Sequence, residues 1–178
     1  MSQFLRPTSD VSKSNLTIST GSYAYAVLDE ETPASDYIKC NGSGETNVTG
    51  YAIMHITDPV AVPTVKTGHF IRFSVKTSIS GRGDPKIELL QGTTVIATLT
   101  VASPTTSYVT YSLELTEAEA NNITDYTDLR LKVYVYHGYY VVNADNHPIF
   151  DSYCQWCEME IPDASPASGP GLEMGMVA

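Results

Sequence analysis

His69-Phe70-Ile71-Arg72-Phe73-Ser74-Val75-Lys76 decides the fold class. Ile71, Phe73 and Val75 fall on one side of an extended chain and Phe70, Arg72, Ser74 and Lys76 on the other, the period of a half-buried strand. Working outward, the pattern repeats. Ile87 and Leu89 alternate with Lys86 and Glu88, a turn falls at Gln91, Gly92 and Thr93, and Val95, Ala97, Leu99 and Val101 alternate with Ile96, Thr98 and Thr100. That is a hairpin with a glycine in its loop. Val109, Tyr111, Leu113 and Leu115 make a third apolar face, and Leu129, Leu131, Val133 and Val135 a fourth, with Arg130 and Lys132 pointing out. Between them Thr116, followed three residues later by Glu119, forms a capping box for a short helix carrying Ala118, Ala120 and Ile123. Burying these faces takes two packed antiparallel sheets.

Upstream, Tyr51 to Ile56 is a strand with Ala52, Met54 and Ile56 inward, and Asp36 to Cys40 a shorter one with Ile38 and Cys40 inward. Tyr23 to Leu28 is expected as a small-residue strand. Downstream, Gly138 to Pro148 is expected as a loop, followed by a last strand from about Tyr153 to Ile161 that Pro162 stops. With about nine strands, one helix and no internal repeat, the chain predicts an all-β, jelly-roll type sandwich of two antiparallel sheets. Residues 21–162 form that domain. Residues 1–20, rich in Ser, Thr and Asn, are expected as an extended arm, and residues 163–178, rich in Pro, Gly, Ser and Ala, as an extended tail that cannot build a core of its own. Arm and tail offer a partner the apolar side chains of Leu5, Leu172, Met174, Met176 and Val177, and any order in the tail has to come from another chain.

The net charge is −10, and no Lys or Arg follows Lys132, whereas Asp145, Asp151, Glu158, Glu160, Asp163 and Glu173 do. Such a surface repels phosphate backbones and anionic lipid, so nucleic-acid and membrane partners are not expected. No apolar run is long enough for a bilayer, and Met1 to Asp10 lack the features of a secretory signal. Cys40, Cys154 and Cys157 are then expected as thiols in a reducing compartment.

The chemical motifs are weak. Cys154-Gln155-Trp156-Cys157 could join His137 and His147 around zinc, but on a regular strand side chains three apart face opposite ways. Arg82-Gly83-Asp84, between Gly81 and Pro85, has the composition of a turn joining two strands. Asp29, Glu30 and Glu31 read as a solvated acidic loop before calcium ligands. Neither a catalytic motif nor a nucleotide loop stands out, so no cofactor and no enzymatic activity are expected. The tyrosines crowding the last strand pair are the better lead: Tyr136, Tyr139 and Tyr140, with Trp156, form a candidate ligand surface of rings that stack on sugars or fill partner pockets.

As a text, the chain resembles a broad group of small β-sandwich proteins of tailed bacteriophages. The opening Arg6-Pro7-Thr8-Ser9-Asp10-Val11-Ser12 is similar to that group's N-terminal signature, Leu89 to Ala97 to its central hairpin, Leu115 to Ala120 and Ile123 to Leu131 to its helix and following strand, and Gln155 to Pro162 to its closing strand. Two departures are Leu16, where members often carry Trp, and a longer loop from His137 to Ser152. The resemblance implies a non-enzymatic virion protein with a jelly-roll fold, assembled in the host cytoplasm. It would decorate or cement the capsid through arm and tail, with the major capsid protein or other virion proteins as partners and an oligomeric state in the particle. The alternative is a glycan-binding adhesion module on the phage tail or head, holding host-surface or mucus sugars through the tyrosine-rich loop.

Overall fold

The computed structural model describes residues 2–31 and 35–164. Among these, eleven strands form two antiparallel sheets. They are β1 (Ser2–Leu5), β2 (Pro7–Ser14), β3 (Leu16–Ile18), β4 (Ile38–Cys40), β5 (Val48–Ile56), β6 (Phe70–Thr77), β7 (Lys86–Gln91), β8 (Thr94–Thr100), β9 (Val109–Glu114), β10 (Leu129–Tyr139) and β11 (Ile149–Pro162). One sheet runs β3-β4-β11-β6-β9, with β1 beside the far half of β11; the other runs β2-β5-β10-β7-β8. Leaving out β1 to β3, the two orders are β4-β11-β6-β9 and β5-β10-β7-β8, the order of a jelly roll, in which nearly every connection crosses between the sheets.

The alternating residues build the core as expected. Ile71, Phe73 and Val75 of one sheet face Ala52, Met54, Ile87, Leu89, Leu131, Val133 and Val135 of the other, all fully buried. The β9 face is shallower than its pattern predicts, because β9 pairs only with β6 and forms an edge: Val109 is exposed and Tyr111 and Leu113 are half-buried. The capping box forms in full, with the Thr116 hydroxyl accepting from the Glu119 N–H and the Glu119 carboxylate accepting from the Thr116 N–H at the head of α1 (Glu117–Asn121).

Three expectations change. Residues 2–18 are not a free arm: β1 pairs with β11, β2 with β5 and β3 with β4, and Leu5, expected to dock on a partner, is 2% exposed within the protein's own core. The polar composition reflects edge strands with one face in water. Tyr23 to Leu28 is not a strand. The Asp10 carboxylate accepts from the N–H groups of Ala24 (3.1 Å) and Tyr25 (2.9 Å), and this capture turns the chain into a 3₁₀ turn at Tyr25–Val27. The loop after Tyr136 is a hairpin, since His137 to Tyr139 pair with Ile149 to Asp151, and Tyr140 and Val142 donate to the carbonyls of Pro148 and Asn146. Leu172, Met174, Met176 and Val177 lie outside the described residues.

Two predictions test this account. Leu5→Ala should lower folding stability by about 2–5 kcal/mol, as for any buried leucine, whereas a docking residue would leave the urea midpoint unmoved. His69, fully buried beside Tyr126, has its imidazole pushed below the ordinary 6.5 by burial and then by the Lys66 charge. The unfolded chain therefore takes a proton that the folded chain resists. This contribution is complete above about pH 6.5 and is lost as the pH falls below it. His69→Gln should accordingly show a flatter fall of stability between about pH 7 and about pH 5 than the parent.

Candidate functional site

The β10–β11 hairpin projects from one end of the sandwich, and three short segments gather round it. Asp151 sits at the junction. One oxygen meets His137 Nδ1 at 2.7 Å, the other accepts from Lys39 Nζ at 3.2 Å, and its backbone carbonyl accepts from the Ser78 N–H. His137 Nε2 lies 3.1 Å from the Gly44 carbonyl, which fastens the Asn41 to Asn47 segment to the hairpin; His147 repeats the fastening on Glu45 at 2.8 Å. Burial alone would pull the Lys39 ammonium down, but the hydrogen bond and charge of Asp151 outweigh it and leave the pKa raised.

Glycines make this closeness possible. Gly83 has φ +65°, which disfavours a side chain, and a Cβ there would stand 2.7 Å from the Phe150 ring; a Cβ on Gly138 would stand 2.8 Å from the same ring. Phe150 thus lies flush over two bare stretches of backbone. Beside it opens a hollow of about 340 Å³ lined by Asn47, Val48, Thr49, Gly83, Asp84, Tyr136, His137 and Phe150. Its apolar part is the Tyr136 and Phe150 rings. Its polar part is exposed, and among the described residues no group of the protein holds the side chains of Asn47, Thr49 or Asp84. Burial raises the Tyr136 phenol; Lys86 opposes this and Asp84 adds to it, so the phenol stays a donor.

The candidate ligand surface separates into parts. Tyr136 lines the hollow. Tyr140 is not part of its lining and carries the Arg82 guanidinium 4.0 Å from its ring centre, and Tyr139 packs against His147, 5.9 Å between centroids. Trp156 is elsewhere: 6% exposed on the other sheet, its indole N–H donates to the Glu30 carbonyl at 2.7 Å. Pairing brings in residues that their spacing does not mark. Tyr51 lies opposite Tyr134 on the outer face of the β5–β10 pair, and Asn47, Thr49 and Phe150 join the hollow only through the fold. Asp84 and Gly83 come from Arg82-Gly83-Asp84, which lies in the connection between β6 and β7 and bends at Gly83.

The cysteine pair also departs from expectation. A β-bulge between Cys154 and Trp156 inserts one residue, so Cys154 and Cys157 both face the core. Both are free thiols; burial pushes Cys154 up to about 12 and Cys157 well above its ordinary value, so neither is a thiolate at neutral pH. Among the described residues no cluster of three or more His, Cys, Asp or Glu side chains suits a metal ion.

No protein-family model and no curated protein matches the chain. Among solved structures, similarity is found to the C-terminal CBM6 of LamC, a marine laminarinase from Zobellia galactanivorans (13% identity, 89% of this chain and 98% of that one, TM-score 0.43). It is found also to the carbohydrate-binding module CBM36 in complex with calcium and xylotriose (16% identity, 85% and 98%, TM-score 0.35), and to the Stig cyclase Fisc from Fischerella sp. TAU (11% identity, 85% and 86%, TM-score 0.36). Scores of this size fall below a shared-fold match, and the jelly-roll assignment rests on the strand order itself.

The seam is open to direct test. A Cβ on Gly42 would overlap the His137 ring, which is buried and held at both nitrogens. Gly42→Ala should therefore cost roughly 1–3 kcal/mol, read as a lower urea midpoint. An unchanged midpoint would show that the segment does not rest on His137.

Proposed function

We propose that the protein is a non-catalytic glycan-binding module whose ligand enters the hollow between the β10–β11 hairpin and the Arg82-Gly83-Asp84 segment. One observation carries this reading: two aromatic rings, Tyr136 and Phe150, stand beside an amide, a hydroxyl and a carboxylate that have no partner among the described residues. A pyranose has the matching chemistry, with C–H groups for a ring face and hydroxyls that donate to a carboxylate and exchange hydrogen bonds with an amide. The volume lies at the small end for ligand pockets, suited to one or two sugar units.

The likeness of the sequence to small phage virion proteins supplies the setting for this module. It would be displayed on the particle, on head or tail, and attached to the major capsid protein or another virion protein. Attachment through the first twenty residues loses its support, because Leu5 belongs to the core. Residues 163–178 remain the segment this reading assigns to attachment.

A glycan array with the purified protein tests the proposal. Asp84 is exposed and has no ion pair among the described residues, so Asp84→Ala should keep the parent's melting temperature while lowering glycan affinity about tenfold, ~1.4 kcal/mol. Tyr136→Ala should lower it at least as much. Retention of full binding by both variants, or no binding by the parent, would remove the hollow as a sugar site.

A further inference from the structure

The outer face of the β5–β10–β7 sheet leads away from the hollow, and its cations differ in one respect. Lys86 pairs with Glu88 at 2.7 Å and Arg130 with Asp128 at 2.8 Å, but Lys132 has no carboxylate among the described residues. Its natural partner is close, since the pairing of β10 with β7 puts Glu88 directly opposite Lys132. Both Glu88 oxygens are already taken: Oε1 accepts from Lys86 Nζ and Oε2 from the Tyr134 hydroxyl at 2.9 Å. The Lys132 ammonium lies instead 4.8 Å from the Tyr51 ring centre and 4.6 Å from that of Tyr134. Those two rings face each other across the strands, one row nearer the hollow than Lys132 itself. The stem thus leans toward the hollow and holds three N–H donors over an aromatic pair. The next row contains Tyr136, about 7 Å further along the strand.

Resting on the glycan reading, we propose that the ligand is an acidic polysaccharide chain lying along β10, with a carboxylate on Lys132 and a neutral sugar in the hollow. The two sites cannot hold the same kind of unit. Asp84 repels an anion in the hollow, and an ammonium bracketed by rings gains most from a charged acceptor, whose hydrogen bonds are about twice as strong as neutral ones. A polymer in which acidic and neutral residues alternate satisfies both.

The test is affinity electrophoresis of the full chain in gels containing hyaluronate or xanthan, each beside its carboxyl-reduced form. At least one acidic alternating polymer should retard the protein, with retention falling about tenfold on carboxyl reduction, which needs no variant, and about tenfold in Lys132→Gln. Raising the salt from about 50 to about 300 mM should weaken the acidic polymer only. Equal retention by acidic and reduced forms, or an unaffected Lys132→Gln, overturns the inference and leaves the glycan reading standing. Retention by none of the polymers, acidic or reduced, overturns the inference, and with no binding on the glycan array it overturns the glycan reading as well. Equal binding of a DNA duplex in competition would assign Lys132 to phosphate and also overturn the inference.

Discussion

Asp151 grips His137 with one carboxylate oxygen and Lys39 with the other, and the rest of the molecule's working end hangs on that grip. β10 belongs to one sheet and β11 to the other, and hydrogen bonding between strands joins the sheets only where His137 to Tyr139 meet Ile149 to Asp151, among the described residues. Two sheets packed through side chains alone tolerate some sliding. A shared backbone seam removes that freedom at one end, and the seam is short, so side chains must hold it. His137, Lys39, Ser78 and Thr77 all converge on Asp151, from β10, β4 and the end of β6. The hollow lies against this junction because the same three residue pairs put Phe150 over Gly138 and bring Tyr136 to the edge.

At the opposite end the sandwich is closed by charge as well as by packing. Glu158 on β11 is nearly buried between Arg6, at 3.3 Å, and Arg72, at 3.4 Å, while Arg72 also pairs with Glu160. Burial raises the Glu158 carboxyl, and the two guanidinium groups offset this only in part. The sign of that balance says that the ion pairs do not fully compensate the desolvation of the carboxylate. Their contribution is placement: they fix β1 and β6 on the two sides of β11, where apolar packing of Leu5 and Ile71 against Met159 and Ile161 supplies the stability.

The inner strands β5, β6, β7 and β10 could be read from the sequence because each buries one face, and a face of Val, Ile and Leu at every second position has few other uses. Edges and ends could not. Pro7 to Ser14 shows no apolar period because β2 lies at a sheet margin, and its decisive residue, Asp10, acts by seizing two backbone N–H groups of residues far along the chain. The bulge that turns Cys154 and Cys157 to the same side is one inserted residue, which periodicity alone cannot place. The hollow was legible only as a concentration of tyrosines. Tyr136 lines it and Trp156 does not, because whether a ring lines a hollow or fills a gap depends on what crosses over it, here the Glu30 segment. Asn47, Thr49 and Asp84 are ordinary polar residues just before or at the start of β5 and just before β7 until those segments meet the hairpin.

Charge placement follows a related rule. Of ten Lys and Arg side chains, six (Arg6, Lys13, Lys39, Arg72, Lys86 and Arg130) contact a carboxylate among the described residues, and the other four, Lys66, Lys76, Arg82 and Lys132, each rest on a tyrosine ring. In a chain with twice as many acids as bases, a long cationic side chain would be expected to find an acid. A ring holds the cation in place for about 0.5–1 kcal/mol at an exposed site without neutralising it, whereas a carboxylate would cancel its field. Arg82, next in sequence to the Gly83 and Asp84 that line the hollow, and Lys132, two outward rows from Tyr136 on β10, therefore keep their full charge. Cations placed in this way put local positive potential on a surface whose overall charge is −10, so at short range the sign of the field there is set by the nearest side chain and not by the net charge.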